Sequence, residues 1–334
     1  MTQEWWHPNR FALKIPHLKA RAQMMSRIRN FFDARGYVEV ETPALQTSPC
    51  MEPHIQAFKT KGHYLHTSPE FAMKKLLVAG LDKIYQIAHV FRDEAPSSLH
   101  TPEFTMLEWY EKGLSYDAMM DETISLVRAA ADGAKLSYRG IACEPQEEWE
   151  IITVVAAVKA HADIDIKGKF GDLAHLQTEA KRIGVYLSPA DDWENALLKI
   201  IMEKVEPNLG IKAPTILCDY PVSMAALSQP KPGNPSLAER FEVYVCGIEL
   251  ANAFGELTDA KTQRERFLHD VTLRKKTYGD DYPVDEEFLR AIDFGLPACS
   301  GNALGIDRLA MMISDVARID DIQACPIFYE KDQA

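Results

Sequence analysis

Apolar positions recur every three or four residues along 17–35, through Leu18, Ala22, Met25, Ile28 and Phe32, and Gly36 follows them. That spacing predicts an amphipathic helix closed by a C′ glycine. The period then drops to two, so Tyr37–Glu41 reads as a strand stopped by Thr42 and Pro43. Ser68, Pro69 and Glu70 predict a second helix, with a capping hydroxyl, a proline at the first helical position and an acid in the first turn, running to Gly80. Ile84–Phe91 and Phe104–Glu111 read as strands joined by a polar loop over 92–103, too long for an ordinary hairpin. On the second strand, alternation puts Phe104, Met106, Glu108 and Tyr110 on one face and Thr105, Leu107 and Trp109 on the other.

Further helices are predicted over 117–131, 151–161, 191–206 and 260–278, and strands over 215–218, 240–245 and 248–254, with 229–235 as loop. Gly305, Ile306, Asp307 and Arg308 open a last apolar helix. No βαβ rhythm runs through the chain, which favours an α+β fold, an antiparallel sheet flanked by helices, over a doubly wound parallel one. The whole chain, 1–334, is expected to form a single domain, with 135–235 as an insertion-like middle of unassigned role.

Composition narrows this picture. The 334 residues are 46% hydrophobic and 26% charged, which permits a large core and excludes global disorder. Lys and Arg number 37 against 49 Asp and Glu, a net charge of −12 that offers a polyanion little bulk attraction and suits a basic protein or a cationic metabolite. No apolar run approaches the ~18 residues of a membrane span, and the first residues are acidic and polar where a secretory signal is basic and then apolar. Six cysteines without a CxxC pair indicate neither a zinc cluster nor a disulfide framework, and free thiols point to a cytoplasmic protein.

Three groups of residues carry candidate chemistry. In the first, Arg92, Asp93 and Glu94 end one strand, and His100, Phe104, Glu108 and Tyr110 follow across the loop. An arginine at a strand end can clamp a phosphate and a carboxylate together, and an aromatic beyond it can stack on a flat base. A charged hairpin with solvated side chains is the plain alternative, weakened because a carboxylate at 108 among apolar neighbours needs a partner. In the second, Glu242, Glu249 and Glu256 stand seven apart around Asn252, either as a helical stripe or, given the β-branched and aromatic content, as sheet carboxylates suited to Mg²⁺. In the third, Gly301, Ala303 and Gly305 precede Arg308, as a close approach of ligand to backbone or as a tight packing turn.

Their order, a helix–strand–Pro43 unit, then FRDE…H…F, then GIDR, resembles motifs 1, 2 and 3 of class II aminoacyl-tRNA synthetases. The segments HTSPEFAMKKLLVAG, FRDEAPSSLHTPEFTMLEWY, FEVYVCGIELANAFGELTDA and GNALGIDRL resemble the lysyl-tRNA synthetase catalytic domain over most of 17–325, least in 135–210. Two departures stand out. The chain begins almost at motif 1, with no room for the anticodon-binding OB-fold, and Ala303 stands where those synthetases have glycine. Both traits resemble the elongation factor P–lysine ligase family, the truncated paralogues of lysyl-tRNA synthetase.

The resemblance implies activation of lysine, preferably (R)-β-lysine, with ATP and Mg²⁺, then transfer to a lysine of elongation factor P, by a homodimer joined at the motif 1 helix. It implies that Arg92 holds the α-phosphate and the substrate carboxylate, that Asp93, Glu94, His100 and Thr101 belong to the ATP site, and that Phe104 stacks on adenine beside Arg308. Thr101 departs from the usual asparagine. Glu242 and Glu249 would hold Mg²⁺ and nucleotide, with Leu250 and Gly305 lending backbone. Ser68, Pro69 and Glu70 would meet the backbone-type amine, and Glu108, Tyr110, Asn252, Glu256 and Ala303 would line the pocket of the side-chain ammonium. A truncated synthetase that charges tRNA and a non-catalytic paralogue are the alternatives; the missing anticodon module disfavours the first, and the full set of arginines and acids the second.

Overall fold

The computed structural model describes residues 4–327; the expected domain's outermost residues, 1–3 and 328–334, lie outside them, including the first three residues of the segment read for a signal. Nine strands make the main sheet: β1 (Val38–Glu39), β2 (Lys83–Phe91), β3 (Glu103–Lys112), β4 (Glu150–Thr153), β5 (Thr215–Pro221), β6 (Pro230–Lys231), β7 (Asn234–Val245), β8 (Ile248–Gly255) and β9 (Cys299–Gly305). Their order is β1-β2-β3-β9-β8-β7-β5-β4, with β6 paired to β7. Only the outer pairs β1–β2 and β4–β5 are parallel, so the expected antiparallel α+β architecture holds.

Helices α1 (Pro8–Asp33), α3 (Tyr116–Ala131) and α9 (Ile306–Ser314) cover one face of the sheet. Leu107 and Trp109 of β3 point into that core, as the alternation requires, and meet Ile28 and Phe32 of α1. Phe32 stacks on Tyr85 with ring centroids 4.5 Å apart, a geometry that adds about 0.5–1.5 kcal/mol to simple burial. On the opposite face, α2 (Glu70–Val78), α7 (Ala260–Tyr278) and α8 (Glu286–Gly295) pack at the β2–β3 end around Phe71, Phe267 and Phe288. Helices α4 (Val154–Ala162), α5 (Leu173–Ile183) and α6 (Trp193–Ile200) pack at the β5–β7 end around Leu217 and Tyr244. Within the middle expected to be insertion-like, these helices form a lobe whose core takes in Leu217 and Tyr244, whereas 150–153, 215–221 and 230–231 are strands of the main sheet itself.

Several boundaries differ from the pattern. The first helix begins at Pro8, not 17: Pro8 occupies its first turn, the His7 ring accepts from the Asn9 N–H, and the helix continues through Pro16. Residues 150–153 form β4 and the helix starts only at Val154, capped by Thr153. The loop expected at 229–235 contains a short hairpin, because Pro230 and Lys231 pair with β7 despite their breaker composition. At α2 the helix starts at Glu70 with Pro69 as its cap residue, and the Ser68 hydroxyl accepts from the Glu70 N–H at 3.0 Å.

Candidate active site

Directly opposed residues on antiparallel strands share a face. The register pairs Gln86 with Glu108, Glu108 with Ala303, Ala303 with Asn252, and Asn252 with Glu242, so these five form one row across the sheet. The adjacent row holds Tyr110, Gly301, Phe254 and Arg240. Glu249 joins this face through an irregularity. It lies three residues from Asn252, which on a regular strand would put the two on opposite faces. A β-bulge lets Val243 pair with Ala251 and Tyr244 with Glu249, and the extra residue, Leu250, is buried in the core.

One end of the row is rich in acid. Glu70, Glu108 and Glu256 are all buried. Glu108 accepts from the Ser68 hydroxyl at 2.6 Å and from the Tyr110 hydroxyl at 3.0 Å, which supplies the partners a carboxylate needs there. Burial pushes its pKa up to about 8, helped by the charge of Glu70 and opposed by the two hydroxyls and Lys74. Burial also pushes Glu256 up, against the pull of Lys74. Oε1 of Glu256 and Oδ1 of Asn252 are buried without hydrogen-bond partners. Gly301 makes room beneath them: a Cβ there would lie 2.1 Å from the Tyr110 ring and 2.5 Å from Glu256 Oε1.

The other part of the face is set up for anions. The Arg92 guanidinium lies 5.2 Å from the centre of the Phe104 ring, its Nε is buried without a partner, and no ion pair among the described residues engages it. Arg308 donates to the Glu249 carbonyl at 2.6 Å and contacts His100 Nε2 at 3.0 Å. Burial, then the charge of Arg308, lowers the His100 pKa, so a neutral ring accepting from the guanidinium fits. A clamp behind the sheet holds Arg308 in place: its neighbour Asp307 accepts from the Thr105 N–H at 2.9 Å and pairs with Arg21 of α1 at 2.6 Å. Glu94 lies near His100, and Thr101 is buried in the same loop. Asp93 is exposed and, together with Glu94, lines a cavity of about 540 Å³ whose walls include Phe58, Leu65 and Phe91. At Gly305 a Cβ would meet only the Arg308 side chain at 3.6–3.8 Å, so the packing demands glycine at 301 and not at 305.

Glu242 and Glu249 fit a hard divalent cation in ligand type and in charge. The pKa of Glu249 is raised by burial and then by the like charge of Glu242, a repulsion that a cation between them would relieve. Both Glu242 oxygens already accept, from Tyr220 and Tyr244 at 2.6 Å and from Arg240 at 2.5 Å. Among the described residues no group of three His, Cys, Asp or Glu is arranged to hold an ion alone, so an ion here needs further ligands from a nucleotide or water.

Four neighbours escaped the sequence reading. Glu52 lies near Arg92, Glu70 and Arg240, its pKa raised by burial and drawn down by Arg92. Its segment is irregular and has no period to read. Glu206, pushed up to about 7 by burial and by Glu242, comes from the middle lobe, where sequence pattern is weakest. Arg240 and Lys74 were legible: two residues before Glu242 on a strand, and four after Glu70 on a helix, each spacing gives a shared face.

A family model of class II tRNA synthetases (D, K and N) matches residues 14–328. The lysine–tRNA ligase of Pelotomaculum thermopropionicum is 37% identical over 319 residues, covering 92% of this chain and 63% of its own length. The chain likewise spans 65% of the lysine–tRNA ligase of Carboxydothermus hydrogenoformans, at 35% identity over 93% of this chain. The elongation factor P–(R)-beta-lysine ligase of Vibrio cholerae is 37% identical over 346 residues, which cover 98% of this chain and 99% of that protein.

Proposed function

Because the chain belongs to the class II tRNA synthetase family (D, K and N), we propose that it is an ATP-dependent, AMP-forming ligase that activates lysine, preferably (R)-β-lysine, and transfers it to a lysine of elongation factor P. The observation that carries this reading is the buried trio of Glu70, Glu108 and Glu256, with unpartnered acceptors on Glu256 and Asn252, on the sheet face that also bears the uncommitted Arg92. Three acids against one internal ammonium, Lys74, suit a substrate carrying two ammonium groups.

In this reading the substrate carboxylate attacks the α-phosphorus of ATP; a P–O bond forms and pyrophosphate leaves. Arg92 and Arg308 offset the charge on the phosphate and the carboxylate, and Phe104 flanks the base, so catalysis is positioning and electrostatics without a side-chain nucleophile. Glu242 and Glu249 would hold Mg²⁺, which supplies charge neutralisation at the phosphates. In the second half the acceptor amine attacks the acyl carbon, a C–N bond forms, AMP leaves with the bonding pair, and the amine loses its proton. A cytoplasmic homodimer joined along α1 completes the proposal, and the exposed Leu13 and Ile15 of that helix offer it apolar surface.

The test is incubation with ATP and labelled lysine or (R)-β-lysine in the presence of elongation factor P or of tRNA. Label is expected on the protein. Label on RNA alone favours charging of tRNA, the reading supported by identity to lysine–tRNA ligases, and label on neither leaves a non-catalytic paralogue.

Two predictions arise here. Ala303 stands between Glu108 and Asn252, so its methyl is part of the pocket floor. Ala303→Gly is expected to raise kcat/KM for α-lysine relative to β-lysine by roughly tenfold, the effect of about one methyl in a fitted pocket; an unchanged ratio refutes the assignment. The second concerns pH. With Glu108 pushed up to about 8, the free pocket holds a proton below that pH, and an incoming ammonium must expel it. The KM for lysine in ATP–pyrophosphate exchange is therefore expected to fall as pH rises from 6 to 8. Glu108→Gln should flatten that slope.

A further inference from the structure

We propose that Lys74 is a positioning residue of the diamine site, its ammonium holding Glu70 and Glu256 ionised and oriented so that each keeps one oxygen for a substrate amine. The inference rests on the ligase reading above and goes beyond it, because Lys74 touches none of the reacting atoms and belongs to none of the groups assigned there. One helical turn separates Lys74 from Glu70, so both project from the same side of α2. The Lys74 Nζ lies 2.5 Å from Glu70 Oε1 and 2.5 Å from Glu256 Oε2, and the side chain is 1% exposed. It ties a helix to the end of β8 from beneath the substrate acids.

The free oxygens are informative. Glu256 Oε1 has no hydrogen-bond partner, and Glu70 Oε2 has only the weak Cys50 thiol at 3.5 Å. Each carboxylate thus commits one oxygen to Lys74 and presents the other. The ionisable groups around the ammonium are Glu70 on α2, Glu108 and Tyr110 on β3, Glu256 after β8, Cys50 in the preceding loop and Cys299 on β9. Burial pushes the two thiols and the Tyr110 hydroxyl up, so these three stay neutral near pH 7. Without the ammonium, three buried acids face one another across a dry site and take up protons, and a protonated acid no longer draws an ammonium.

The measurement is the KM for lysine in ATP–pyrophosphate exchange from pH 7 to 9, for the full-length wild type, Lys74→Met, Glu256→Gln and the double variant, with thermal unfolding as the check of folding. Lys74→Met is expected to raise KM more than about tenfold at pH 7, with kcat changed less, and the ratio to wild type should shrink several-fold by pH 9 as the acids ionise. In the Glu256→Gln background, where one acid is already neutral, the same change should move KM by less than about threefold. A ratio flat in pH, or an equal factor in both backgrounds, overturns the proposal and leaves the ligase reading intact. If Lys74→Met alone does not fold, Glu256→Gln against the double variant decides, since that double variant has lost one buried charge of each sign. Absence of lysine-dependent exchange in the wild type overturns the ligase reading and this inference with it.

Discussion

Arg92→Ala is expected to lower lysine-dependent ATP–pyrophosphate exchange by about 10³-fold, at the upper end of what removal of one charge-stabilising donor costs. Arg92 sits where β2 gives way to the long loop, its backbone N–H donating to Pro102 at 2.9 Å, so the strand end fixes its position. Unlike most arginines on this sheet face its guanidinium forms no ion pair among the described residues, whereas Arg240 is engaged by Glu242 at 2.5 Å. A cation left free in a half-buried place, against an aromatic ring, is available to a ligand. Arg92→Lys keeps the charge and loses the planar fork, so it should recover only part of the rate. Exchange within about tenfold of wild type for the alanine variant would remove Arg92 from the chemistry.

Gly301→Ala is expected to raise the KM for lysine roughly a hundredfold while leaving the fold in place, an overpacking strain of about 1–3 kcal/mol adding to the loss of the pocket. The new methyl would lie 2.1 Å from the Tyr110 ring and 2.5 Å from Glu256 Oε1, closer than real Cβ contacts allow. The ring has to turn, and its hydroxyl then leaves Glu108, which it holds at 3.0 Å. The matching change at Gly305 meets only the flexible Arg308 side chain at 3.6 Å and should be mild. Equal effects at the two positions, measured by exchange and by thermal unfolding, would contradict this account.

Much of this was legible in one dimension. The period-two pattern of 104–111 placed Glu108 and Tyr110 together and opposite Leu107 and Trp109, and the folded strand keeps that division. Strands with one dry face impose their register, so reading them is reading a physical constraint. In the middle lobe the pattern outlined α4 and α6 and missed α5, an 11-residue helix that buries only Leu176 and Ala180 and leaves little apolar signal to read. Glu52 and Glu206 were invisible for a related reason: each reaches the site from an irregular or tightly wound segment, where spacing implies no face. Lys74 was legible and overlooked, since a lysine one turn from a glutamate ordinarily reads as a solvated surface pair.

The bulge at Leu250 also makes strand pairing a chemical variable. Deleting that single residue would leave Glu249 two positions from Asn252 on a regular strand, still facing Arg308 and Glu242, whereas keeping the residue and pairing the strand regularly would rotate Glu249 to the opposite side of the sheet. An odd separation between two such carboxylates therefore hides a kink: parity alone would assign them to different targets, and only the bulged position lets both aim at one.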